Sequence, residues 1–247
     1  MQFEHAPQLR DAYPDLVAGV VLADGITATT DVAGRTAGYL TEARRGLTAG
    51  GAESGFPEIQ AWRRAYAAMG LRPTRYRCAA EALLRRLRLD GELPRVHPLV
   101  DLCNAISAAY AIPVAVLDLD RVDGDLTVRP AHGDEEYLSF AGDTEHPEPG
   151  EVTFVDSAGR AHARRWTNRQ SGWSAVRAGT SSVLIVAEAL HPGGEPAVTR
   201  LVATLVTELT DGWSAPTAAA VLTAAAPRFR TPTADDDRGQ AVSPGTK

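Results

Sequence analysis

The chain has 247 residues, 44% of them apolar, which is enough to build a sizeable core and excludes a disordered chain. Its formal net charge of -6 argues against a general nucleic-acid binder, and no apolar stretch approaches the ~20 residues of a membrane helix, so the chain reads as soluble. Cys78 and Cys103 sit in no Cys-x-x-Cys or Cys/His pattern, which gives no sign of a zinc site or a disulfide framework and suits a reducing cytoplasm.

Residues Met1 to Asp15 carry acids and prolines but no apolar run of signal-peptide length, so no export signal is expected. Leu16 to Ile26 reads as a strand ended by a Gly turn, and Asp31 to Thr48 as a polar helix. Pro57 opens a helix in which Ile59, Trp62, Ala65, Tyr66 and Met69 recur at helical spacing until Gly70, with Arg63 and Arg64 outside the apolar stripe. Cys78 to Leu89 is a second helix, with Leu83, Leu84 and Leu87 on one side and Arg85, Arg86 and Arg88 toward the other. Pro98 to Tyr110 is a third, mostly apolar, with Asp101 and Asn104 as polar exceptions. His97 falls in the loop at its start.

After Pro113 the period becomes that of strands. Val114 to Leu117 and Leu126 to Arg129 flank the Asp123/Gly124 turn signal as a hairpin. Val152 to Asp156 and Ala161 to Trp166 flank Ser157 to Gly159 as a second, and Ser182 to Ala187 is a buried strand. Pro196 to Leu209 is helical, Ala215 to Ala225 is expected to be a shorter helix, and from Pro227 onward the composition predicts a disordered tail. The fold expected is therefore mixed α+β, an antiparallel sheet core over 113–187 with flanking helices, one unit over residues 1–226 followed by the tail at 227–247. The sequence has no repeat, no phosphate-binding Gly loop and no Gly-x-Ser-x-Gly elbow.

The charge is unevenly placed. Between Ala61 and Arg95 stand nine arginines against three acids, and Lys247 is the only lysine. Codon bias explains the lack of lysine as well as phosphate chemistry does, but not the clustering. Arg63, Arg64, Arg85, Arg86 and Arg88 are the candidate RNA contacts, because guanidinium forks suit phosphate; a solvated helix face is the alternative.

From Trp62 to Leu190 the order of short signatures resembles a known family. They run Leu93-Pro94, Asn104 to Ser107, Ile112-Pro113, Leu117 to Asp120, Gly124-Asp125, Val128-Arg129, Gly133 to Glu135, Gly150-Glu151, Phe154 to Asp156, Arg164 to Ser171, and Thr180. The chain is similar to the stand-alone B3/B4 family, relatives of the editing domain of the phenylalanyl-tRNA synthetase β subunit. The resemblance implies a B3/B4-like fold and tRNA or aminoacyl-tRNA as partner, with capture of a mischarged 3′ end and hydrolysis of its ester. Two departures from the synthetase domain stand out. Ala115 holds the place of its histidine, and Arg165 to Arg169 replace its Gly-rich editing loop.

Hydrolysing an activated ester requires a positioned water, exclusion of bulk solvent and a stabilised oxyanion, with no cofactor or metal. Among the residues of the resembling segment, Arg165 or Arg169 would neutralise the oxyanion or the terminal phosphate. Asn168 and Gln170 would orient water and amino group, and Glu135 would accept the ammonium. Asn168, Arg169 and Glu135 are thus the catalytic candidates; Arg165, Trp166, Gln170, Asn104, Asp118 and Thr180 are the substrate-binding ones. Most have a structural alternative: Arg164 to Gln170 a salt-bridged strand and turn, Trp166 and Trp173 core packing, Asn104 a satisfied core amide, Asp118 a turn cap. His132 has the titration range of a general base, yet His-Gly-Asp is usually only a turn. Three functions follow: a trans-acting aminoacyl-tRNA deacylase, a non-catalytic tRNA-binding module, or an amino-acid or metabolite sensor that has lost RNA. The sequence leaves the amino acid, the tRNA and the oligomeric state open.

Overall fold

A computed structural model of the chain describes residues 1–231. In chain order its elements are β1 (Gln2–His5), α1 (Pro7–Ala12), β2 (Val17–Ala23), α2 (Ala33–Gly50), α3 (Pro57–Ala68), α4 (Ala79–Asp90), α5 (Pro98–Tyr110), β3 (Val114–Asp118), β4 (Leu126–Pro130), β5 (Glu136–Leu138), β6 (Thr144–Glu145), β7 (Val152–Asp156), β8 (Arg160–Ala161), β9 (Ala163–Arg164), β10 (Arg169–Gln170), β11 (Val183–Ala189), α6 (Gly194–Trp213), β12 (Thr217–Leu222) and β13 (Arg228–Arg230). The class is the mixed α+β expected. One sheet has four antiparallel strands in the order β12-β2-β11-β3, a second runs β13-β1-β4-β7-β8-β5-β6, and β9 and β10 form a short ribbon. Among the described residues only β1 with β4 and β5 with β8 pair in parallel.

Apart from Glu188, the two long central strands of the four-stranded sheet are apolar on both faces, and the alternation of their side chains separates two cores. Val17, Val21, Val183, Ile185 and Ala187 pack with Leu99, Leu102 and Ile106 of α5 and Val198, Leu201 and Leu205 of α6. Ala18, Val20, Leu184 and Val186 face the other way and pack with Trp62, Tyr66, Phe154 and Trp166. A cavity lies in this second layer, between the sheets.

Helix ends follow local chemistry. Pro57 and Pro98 occupy the first turns of α3 and α5, where a missing N–H costs nothing. His97 Nδ1 caps α5 by accepting from the Leu99 N–H at 3.2 Å, and Gly91 ends α4 in the left-handed conformation.

Four expectations are corrected. Ala215 to Ala225 is not a helix: Thr217–Leu222 form β12, paired along its whole length with β2, because that strand's open edge needs partners for its N–H and C=O groups and Ala helix propensity is worth only tenths of a kcal/mol per residue. Asp123 and Gly124 do not close a hairpin. β3 pairs with β11, β4 pairs with β1 and β7, and the turn docks on Ser157, which leaves Gly124 (φ +63°) no room for a Cβ. Ala161 to Trp166 is not one strand; it breaks at His162 and turns at Arg165. The expected tail does not begin at Pro227, since Arg228–Arg230 pair with β1 and Phe229 is buried opposite Phe3. The rest of the tail expectation falls on residues 232–247, outside the described residues.

Candidate functional site

Position 188 is the acid in an otherwise apolar strand. Its place in the alternation of β11 turns Glu188 into the layer between the sheets, where it is 1% exposed. A buried carboxylate needs partners, and two arrive from distant parts of the chain. Glu188 Oε1 accepts from Trp166 Nε1 at 2.9 Å and from His5 Nε2 at 2.6 Å. Arg10 lies 3.5 Å from His5 Nδ1 and can only donate there, which assigns the His5 proton to Nε2 and aims it at Glu188. Glu188 Oε2 has no partner among the described residues.

Glu188 lines a cavity of about 70 Å³, room for a small polar head group or a few waters. Pro113, Val114, Ala115, Leu117, Phe154 and Val186 form its apolar wall. His162 closes another side. Its Nε2 meets Asp156 Oδ2 at 3.1 Å with both side chains fully buried, and its Nδ1 has no partner among the described residues. Asp156 also accepts from the backbone N–H groups of Asp123, Ala158 and Arg160. Burial works to raise its pKa, but the His162 hydrogen bond and these N–H donors outweigh it, so the carboxyl titrates below the usual range and stays ionised. An ionised Asp156 fixes His162 with its proton on Nε2 and leaves Nδ1 as a basic lone pair.

The turn between β9 and β10 supplies the remaining wall. Arg165 (φ +50°) and Trp166 (φ +58°) are consecutive left-handed residues other than glycine. The Arg165 N–H donates to Glu151 Oε1 at 2.7 Å and the Trp166 N–H to Val152 O at 2.6 Å, which holds the strained pair. The turn sends the indole inward, edge-on to Trp62 at 4.9 Å, and Arg165 outward.

Of the residues picked from sequence, Trp166, Asn168, Arg169 and Gln170 come together on this cavity. The amides are already committed: Asn168 Nδ2 donates to Arg77 O at 2.7 Å and Gln170 Nε2 to Val116 O at 2.6 Å. Arg169 pairs with Glu145 and lies over the Tyr137 ring. The others lie away from it. Glu135 is outside the cavity lining and binds Arg129 and the His132 and Gly133 N–H groups. Asp118 accepts from Thr180 Oγ1 at 2.6 Å and from the Asp120 N–H, as a turn cap does. Asn104 sits on α5, across the four-stranded sheet. Most of the helix arginines are paired: Arg63 with Glu81, Arg85 and Arg88 with buried Glu53, Arg86 with Asp90. Arg64 borders a separate shallow cleft with Tyr13 and Ala61.

Glu188, His162 and His5 were not singled out in the sequence. An acid inside a run of apolar residues was a usable signal for Glu188. His5 had none, since its partner is 183 positions away.

The model of a family described as the B3/4 domain matches residues 61–195, more than half of the chain. Among solved structures, the chain is similar to an N-terminal fragment of the phenylalanyl-tRNA synthetase beta-subunit from Pyrococcus horikoshii, with 9% identity and a TM-score of 0.46 over 87% of this chain and 49% of that one. The chain thus spans about half the length of that fragment. No curated protein sequence matches it.

Proposed function

The chain belongs to the B3/4 domain family, and from that premise we propose that it is a tRNA-directed protein that takes the aminoacyl end of a mischarged tRNA into the cavity and hydrolyses its ester. The observation that carries this reading is the buried Glu188 carboxylate, held at one oxygen and open at the other, on a cavity whose remaining wall is largely apolar. An α-amino acyl group has the complementary pattern: an ammonium for Glu188 Oε2 and a side chain for Ala115, Leu117 and Val186. A desolvated carboxylate binds an ammonium far more strongly than one in water does.

His162 supplies the base. Water adds to the ester carbonyl carbon as Nδ1 takes its proton; the tetrahedral intermediate then collapses, and the same proton passes to the departing ribose oxygen. Asp156 stabilises the imidazolium formed in between. The N-terminal residues belong to the same working unit, because His5 and Arg10 orient Glu188 from outside the matched segment. Burial pushes the Cys78 and Cys103 thiols up to about 12, which keeps them inert and outside the proposed chemistry.

The test is deacylation of a panel of correctly and incorrectly charged tRNAs. Wild type is expected to turn over a mischarged species selectively. His162→Asn is expected to lower kcat about 100-fold, and Glu188→Gln to act mainly through KM. Failure of the wild type on every substrate would sink the hydrolase. One observation favours a second reading, a small-molecule sensor without RNA: most arginines of α3 and α4 are neutralised by Glu53, Glu81 and Asp90. Binding that is insensitive to salt would mark that case, since phosphate contacts weaken steeply as salt rises.

A further inference from the structure

The arginines of α3 and α4 are largely paired, but those of the loop between these helices are not. Arg72 and Arg75 are exposed, and neither they nor the Arg165 guanidinium meets a carboxylate among the described residues. Arg75 Cζ lies 5.2 Å and Arg165 Cζ 4.5 Å from the centre of the Tyr76 ring. Two uncompensated guanidiniums on one ring repel each other unless an anion joins them.

Their place is set by the cavity. Asn168 donates to the Arg77 carbonyl, and the Ala79 N–H donates to the Thr167 carbonyl at 2.8 Å, so the loop is stitched to the turn that walls the cavity. Arg165 directly precedes Trp166, and the strained left-handed pair puts one side chain inside and the other at the rim. From these positions we infer that Arg75 and Arg165, which share the Tyr76 ring, form a phosphate clamp for the single-stranded 3′ end of an RNA. The inference rests on the tRNA-directed reading above. An acyl group held in the cavity has its terminal phosphodiesters just outside, and guanidinium forks grip phosphate oxygens in pairs.

The experiment is fluorescence anisotropy with an uncharged RNA hairpin carrying a single-stranded 3′ tail, measured across about 50 to 200 mM salt. The Arg75→Ala, Arg165→Ala double variant is expected to bind at least tenfold more weakly and with a salt slope smaller by about 2. Arg75→Glu, at an exposed position where folding is not at stake, is expected to do the same in direction, whereas Arg200→Ala on α6 is expected to leave binding unchanged. Removing the 3′ tail is expected to erase the difference between wild type and the double variant. Wild-type affinity in the double variant, equal binding of blunt and tailed hairpins, or displacement by a free nucleoside triphosphate at RNA-like concentration would each overturn the clamp. The hydrolase is judged separately. Tail-dependent binding without deacylation defeats the hydrolase and leaves the clamp standing, while deacylation with tail-independent binding defeats only the clamp.

Discussion

Two buried glutamates, Glu188 and Glu135, show how differently one residue type is used. Glu188 leaves one oxygen without a partner among the described residues, whereas Glu135 is saturated by its own turn and Arg129. Burial alone would raise the Glu135 pKa, but the His132 and Gly133 N–H groups and Arg129 carry it down to about 2, against an ordinary 4.5. A carboxyl depressed on folding stabilises the fold at pH above its unfolded value and loses that contribution as the pH falls through its folded one. The window is therefore about pH 4.5 down to about 2, and the contribution is on the order of 3 kcal/mol. Glu135→Gln is expected to be less stable than wild type in urea at pH 7, with the gap closing as the pH approaches 2; a gap that persists there would refute the assignment. Glu135 was read from sequence as a ligand for ammonium. Its partners lie within six residues, so local chemistry decided its role, and a Gly-Asp-Glu turn was sufficient warning.

At the scale of elements, packing decided what propensity left open. The alanine-rich stretch after α6 is a strand because β2 offers it an edge, and Arg165 and Trp166 bend as they do because Glu151 and Val152 hold their N–H groups. The β2–α6 contact is as demanding. A Cβ on Gly19 would sit 2.4 Å from Val202 Cγ2 and 2.9 Å from Val198 Cγ1, and a valine on a helix has little rotamer freedom with which to yield. Gly19→Ala is expected to cost about 1–3 kcal/mol by overpacking. Denaturant titration of the single and double variants checks this: Val202→Ala should relieve part of the cost, giving a favourable coupling of about 0.5 kcal/mol or more, and strict additivity would show that the clash is absorbed elsewhere.

At the scale of the whole molecule the two ends of the described chain meet. β13 pairs with β1, Phe229 is the register partner of Phe3, and Phe3 packs edge-on against His5 at 5.4 Å. This route leads from the last described strand to the Glu188 carboxylate. Phe229→Ala is expected to lower stability by about 3 kcal/mol and Tm by roughly 6 °C or more. Under the proposed function it should also weaken deacylation, because Phe3, which backs His5, loses its own partner; a large fall in Tm with unchanged kcat/KM would disconnect the strand from the site. The sequence by itself determined the α+β class, α5 to the residue and most other helices to within a few residues, because apolar periodicity and Pro and Gly punctuation are local signals; Trp166, Asn168, Arg169 and Gln170, picked out by resemblance, do line one cavity. Only the tertiary structure decided which sheet each strand joins, that Glu53 and Glu81 neutralise the helix arginines, and that His5, Trp166 and Glu188 converge. These are contacts between residues far apart in the chain, and no local period encodes them.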